Sequence, residues 1–186
     1  MKTNNLQVLG GIALIVSALF FVSKSGYLSF NNPKDSQPNA PTSTPSVLGV
    51  GQRAPDFNLT TLDNQQFRLS DKKEKTVILF GMAGWCGTCI PEGRVLTKIS
   101  QEYANKGIEV IGVAFTKGDN DDFLKEFKKV GSIDIPLALD TDNVAQKYNL
   151  TRLETTYIIK KDRIILYKDE QSTSYEDYKR ELDKII

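Results

Sequence analysis

The chain has 186 residues, with 24 Lys and Arg against 23 Asp and Glu, no histidine, and two cysteines, Cys86 and Cys89. The balanced charge advertises no nucleic-acid surface, and the missing histidine excludes Ser-His-Asp and Cys-His hydrolases, His-ligated haem and the usual zinc and copper sites. Two cysteines cannot build a disulfide framework, so the fold needs an ordinary core and any chemistry falls to thiols.

Thr3–Ser23 carries no charge, and Val8–Val22 is almost wholly apolar. As a helix this segment is about 31 Å long, matching a hydrocarbon core of roughly 30 Å. A cleaved signal peptide is the alternative, with Ser23 and Ser25 as small residues near its end. The length of the apolar run and the poor cleavage site favour a retained membrane anchor over residues 1–23. Residues 24–46 are rich in Ser, Asn and Thr, with Pro33, Pro38, Pro41 and Pro45. That composition buries too little to fold and reads as a semi-extended tether. Residues 47–186 then form one domain, expected outside the cytoplasm at the cell membrane.

Within the domain, Phe57–Leu59 and Phe67–Leu69 read as a hairpin turning through Asp63-Asn64. Apolar runs predict strands at Val77–Phe80, Ile108–Phe115, Thr156–Ile159 and Ile164–Tyr167, the last pair turning at Lys161-Asp162. Val95, Leu96, Ile99 and Tyr103 fit one face of a helix, and Phe123, Leu124, Phe127 and Val130 one face of a second. A last helix carries Tyr175, Tyr178, Leu182 and Ile185. This order predicts an α/β sandwich with a mixed sheet. Phe115–Asp119 follows the end of a strand and is expected near the active edge.

Trp85-Cys86-Gly87-Thr88-Cys89 follows a buried strand and opens a helix. Unpaired N–H groups and the positive end of the macrodipole favour a thiolate there, lowering a cysteine pKa from about 8.5 into the range of roughly 3.5–7.5. Cys86 is the expected exposed, attacking sulfur, and Cys89 the resolving one. A purely structural disulfide across so short a loop restricts little entropy. A metal site needs ligands beyond two thiolates, and inert buried cysteines do not call for Gly87.

These features resemble the thioredoxin fold, and within it the membrane-tethered thiol–disulfide oxidoreductases of the TlpA/ResA type in the redoxin superfamily. The resemblance rests on Gly51–Phe57 with Leu59, Leu69-Ser70-Asp71, the Trp85–Cys89 motif, Glu92 after it, Ile135-Pro136-Leu137 with Asp140, and Thr155–Ile159. It implies a thioredoxin-like α/β/α sandwich with a mixed central sheet and an N-terminal β-hairpin, preceded by one transmembrane helix. It further implies catalytic Cys86 and Cys89, support from Trp85, Gly87, Thr88 and Glu92, a substrate loop at Glu154 and Thr155, and no cofactor or metal. The implied partners are a Cys-containing exported protein, such as an apocytochrome before haem attachment, and a membrane electron donor.

Four positions depart from the family pattern. Glu154 replaces a cis-proline, which predicts a trans Leu153–Glu154 bond and an altered loop. Its carboxylate is expected either to approach Cys86, raising the thiol pKa, or to point into solvent. Phe80 stands where a proton-handling residue is usual, leaving Glu92 or Glu154 to replace it. Pro91, tolerable in a first turn, and Arg94 replace a later helix proline, and Lys161-Asp162 replaces an Asp-Gly turn. Two rival functions stay open. A peroxiredoxin-like peroxidase needs a Thr three residues before its cysteine, where Ala83 precedes Cys86, and an Arg such as Arg152. A non-enzymatic binding or metal-delivery module normally needs a histidine.

Overall fold

A computed structural model describes residues 48–186; the anchor and tether expected at residues 1–23 and 24–46 lie outside the described residues. Among the described residues, no helix is long and apolar enough to cross a membrane. A hairpin of β1 (Asn58–Thr60) and β2 (Gln66–Arg68) comes first, with Asn64 left-handed at φ 58° in its turn, a conformation Asn tolerates. Then follow β3 (Thr76–Met82), α1 (Cys89–Tyr103), β4 (Ile108–Ala114), α2 (Asp121–Gly131), β5 (Leu137–Leu139) and α3 (Val144–Tyr148). The chain ends with β6 (Thr155–Ile159), β7 (Ile165–Asp169) and α4 (Tyr175–Leu182).

The main sheet runs β5-β4-β3-β6-β7. β3, β4 and β5 are parallel, while β6 and β7 are antiparallel to their neighbours. All seven residues of β3 are buried, as a central strand covered on both faces requires. Alternation along it sends Ile78, Phe80 and Met82 to a core shared with α1, α2 and α4. Val77 and Leu79 go to a second core under the hairpin and α3. The expected thioredoxin-like layers and mixed sheet are both present.

Two short elements, β5 and α3, lie where the sequence offers no periodicity. β5 pairs with β4 from Leu137 to Leu139. α3 begins under Asp140, whose two carboxylate oxygens accept the amides of Val144 at 2.6 Å and Ala145 at 2.8 Å. Both elements owe their form to tertiary neighbours. The single apolar face expected of α2 is narrower than its composition: Leu124 and Phe127 are buried, whereas Phe123 is 42% and Val130 55% exposed. Only the first two are within reach of the sheet. α2 is otherwise well capped, Asn120 accepting the Phe123 amide, with Asp121 and Asp122 in its first turn. Pro91 falls in the first turn of α1, where its missing N–H has no helical partner. Arg94 reaches across to donate from Nε to the Gly131 carbonyl at 2.8 Å.

The loop between α3 and β6 departs from proline-containing geometry. No described peptide bond is cis, and Glu154 is left-handed at φ 63°. Its amide donates to the Gly81 carbonyl at 2.9 Å, one step beyond the Gly81–Thr155 pair that ends the β3–β6 ladder. Proline has no N–H to give and cannot reach a positive φ. Glu154→Pro is therefore expected to cost at least about 1 kcal/mol, whereas Glu154→Gly stays within about 1 kcal/mol of the parent. Urea unfolding of the oxidised variants checks both, and a Pro variant of undiminished stability contradicts the loop geometry.

Candidate active site

β3 ends in a run of small residues because it must turn sharply beneath α2. A Cβ on Gly84 would lie 2.7 Å from Phe123 Cβ and 2.9 Å from its backbone carbon, so only glycine fits. Asp119 holds this turn in place. Its Oδ1 accepts the Gly84 amide at 2.8 Å, and its Oδ2 accepts the Thr116 amide and hydroxyl at 2.9 and 2.6 Å. The Thr116 hydroxyl in turn accepts Trp85 Nε1–H at 3.0 Å. Trp85 is thus 56% exposed yet tied by its polar edge. Phe115–Asp119 does lie at the active edge, as expected of a loop after a strand.

Cys86 and Cys89 are joined as a disulfide, with Cα atoms 5.4 Å apart. The Cys89 amide, first in α1, donates to Cys86 Sγ at 3.2 Å. The sulfur therefore lies at the N-terminal end of α1, where the helix macrodipole favours negative charge. Thr88 Oγ1 lies 3.3 Å from the same sulfur. Cys86 is less open than expected: it is 4% exposed, against 0% for Cys89, because the chain folds back at Ala83, whose carbonyl accepts the Cys86 amide at 3.0 Å. The order of access is nonetheless the expected one. Gly87 leaves space beside the pair, since a Cβ there would meet no atom within 4 Å.

Glu92 lies one helical turn after Cys89 on the same face of α1, and it is 1% exposed. Its Oε1 accepts the hydroxyls of Tyr178 at 2.6 Å and Thr156 at 3.0 Å, themselves 2.9 Å apart. Oε2 has no partner among the described residues. Burial pushes the carboxyl from an ordinary 4.5 up to about 7, and the charge of Glu154 adds to the rise. The Tyr178 and Thr156 hydroxyls and the Thr173 backbone pull the other way. Desolvation beside this carboxyl also lifts the Tyr178 phenol well above its ordinary value.

Thr156 pairs with Phe80 across the β3–β6 ladder, and Phe80 is fully buried. Glu92, from α1, thus brings a carboxyl close to the same point of the sheet. No motif singles out Tyr178 or Thr156, which read as an apolar helix face and a strand residue. The available signal was chemical: a tyrosine in a buried stripe needs a partner for its hydroxyl.

The substrate-loop residues part company. Thr155 is buried and donates its hydroxyl to the Arg152 carbonyl at 2.7 Å, so its side chain braces the loop from within. Leu153 packs on the core cluster that contains Cys86 and Cys89, and Glu154 remains partly exposed. A cavity of about 780 Å³ among Glu74, Thr76, Lys106, Lys160, Asp183 and Ile185 opens near the first residue of β3 and is remote from this chemistry.

The family model described as Redoxin matches residues 49–186. The chain is 34% identical over 116 residues to the thioredoxin-like protein YneN of Bacillus subtilis, covering 62% of this chain and 68% of the relative. It is 28% identical to the thiol-disulfide oxidoreductase ResA of Bacillus cereus, over 100% of this chain and 99% of the relative. Among solved structures, a thiol:disulfide interchange protein of the thioredoxin family from Chlorobium tepidum superposes with a TM-score of 0.65. That likeness, at 21% identity over 74% of this chain and 97% of the other, is one of fold. A cysteine pair bonded at the head of a helix, on a thioredoxin-like sheet and beside relatives of this kind, places the chain in the Redoxin family as a thiol–disulfide oxidoreductase of the ResA type.

Proposed function

We propose that the protein is a membrane-tethered reductant of disulfides in exported partner proteins, working on the extracytoplasmic side. The carrying observation is the pairing of Cys86, seated at the head of α1, with a carboxyl buried one turn beyond Cys89. In the reduced protein the Cys86 thiolate bonds one partner sulfur and expels the other as thiolate. Cys89, after losing its proton, bonds Cys86 Sγ and expels the second partner sulfur. Two electrons pass to the partner and the pair is left as the disulfide. A dithiol donor at the membrane restores it by the same exchange in reverse.

Cys89 is enclosed, so its proton needs a local acceptor. Glu92, with a pKa of about 7, is divided between its two forms at neutral pH and suits transfer in both directions. The direction of electron flow is read from charge: an ionised Glu92, one helical turn beyond Cys89, opposes a thiolate there and so favours the disulfide over the reduced pair. Support for the anchor comes from the uncharged stretch Thr3–Ser23 and from a full-length alignment to a ResA whose own chain is covered at 99%. An apocytochrome is one substrate of the expected kind.

Cys86→Ser is expected to abolish exchange with a disulfide substrate, and Cys89→Ser to accumulate mixed disulfides visible on non-reducing gels. Full turnover by the Cys86→Ser protein defeats the mechanism.

Glu92 also makes stability depend on pH. Its folded pKa lies above the unfolded value, so between pH 4.5 and about 7 the folded chain holds the extra proton. Stability therefore falls as pH rises through that window, by about 3 kcal/mol from this group. With no histidine in the chain and both cysteines bonded, few other side chains titrate there. Denaturant titrations of the oxidised protein at several pH values should show this slope, and Glu92→Gln should flatten it. Tyr178→Phe removes a donor to the carboxylate and should carry the slope to higher pH. A parent protein with equal stability at pH 5 and pH 8 contradicts the assignment.

A further inference from the structure

Glu154 lies on the loop that closes on the C-terminal end of β3, just before the redox pair, and its side chain has no hydrogen bond or ion pair with a described residue. Its backbone is held at φ 63°, a region that residues with a Cβ enter only when their surroundings fix them there. The Gly81 carbonyl does so through the Glu154 amide. The carboxylate itself is partly buried and has no hydrogen bond or ion pair with any described side chain. Arg152, the nearest cation along the chain, is exposed and acts on Glu170. The charge of Glu154 reaches Glu92, and the adjacent Leu153 packs on the cluster that holds both cysteines. An acid without a described partner therefore stands on the loop fastened to the C-terminal end of β3, the strand that leads directly into the cysteine turn.

We propose that Glu154 is a specificity-determining residue that selects partner disulfides flanked by lysine or arginine. The proposal rests on the reductase reading above and names the partner's chemistry. A partner cation meets an acid on a partly buried residue, an attraction of the size of a rim ion pair. A partner acid at the same position meets repulsion, which turns attraction into discrimination. Exposed Trp85 and Phe123 supply apolar footing, Phe123 being held beside the turn at Gly84. The exchange is unchanged. Cys86 bonds one partner sulfur, Cys89 then displaces it, and two electrons leave with the reduced partner thiols.

The test mixes the full-length reduced protein with two disulfide peptides that differ only beside one cysteine, carrying Lys in one and Glu in the other. The Lys peptide should react about fivefold faster at low salt, and the ratio should fall toward one in about 0.5 M NaCl. Glu154→Gln, of the same shape, should show a ratio near one at low salt as well. Equal rates in the parent protein, or a full preference retained by Glu154→Gln, overturn the assignment. The salt series reads the same charge effect without any variant. Failure of the parent to reduce either peptide overturns instead the reductase reading beneath it.

Discussion

Two loops meet at the C-terminal end of β3, and the site exists because that end is held by both. The carbonyl of Gly81 accepts the Glu154 amide, that of Met82 accepts the Phe115 amide at 3.2 Å, and the Gly84 amide is taken by Asp119. β3 itself is buried along its whole length between β4 and β6. A strand so enclosed cannot shift register without turning its side chains to the wrong core. The turn that follows it inherits this rigidity. Cys86 can thus be presented at the head of α1 with its sulfur aligned on the Cys89 amide.

The same enclosure explains the placement of the acid. A carboxyl with only apolar neighbours carries a large desolvation cost when ionised, and Glu92 is relieved by two hydroxyls from β6 and α4. One oxygen is doubly paired and the other is left without a partner. The group is therefore neither a fixed anion nor a fixed acid. α4 has a role beyond covering the sheet, since through Tyr178 it sets how tightly Glu92 holds its proton. Phe80 gives β3 no polar side chain at this point, and the carboxyl that lies nearest it across the Thr156 pair comes from α1.

The long strands and the cysteine motif were legible because central, doubly covered strands read as unbroken apolar runs. The helix opened by Cys89 follows one of them directly. β5 and α3 were legible only through resemblance: three and five residues are too few to show a period, and Asp140 caps α3 through a tertiary arrangement. The exposure of Phe123 and Val130 was hidden because an apolar side chain reveals its periodic position and not whether a neighbour arrives to cover it. Tyr178 was visible as core, while its hydrogen-bonding role depended on two distant elements. The left-handed Glu154 had no local signature at all, since its conformation is imposed by the Gly81 carbonyl and not preferred by glutamate.

Glu92 and Glu154 act on one another through their charges. Glu154 raises the proton affinity of Glu92 through its charge, so a cation placed against Glu154 weakens that repulsion and lets Glu92 ionise more readily. Ionised Glu92 is the form able to accept a proton from Cys89, and Cys89 must lose its proton before it can release the partner. A docked basic residue then does more than hold the partner at the rim. It also lowers Glu92's hold on its proton at the stage when the mixed disulfide awaits resolution. On the function proposed above, the repulsion between the two acids, a smaller influence on Glu92 than its burial and its hydrogen bonds, is what couples a docked partner to the proton on Glu92.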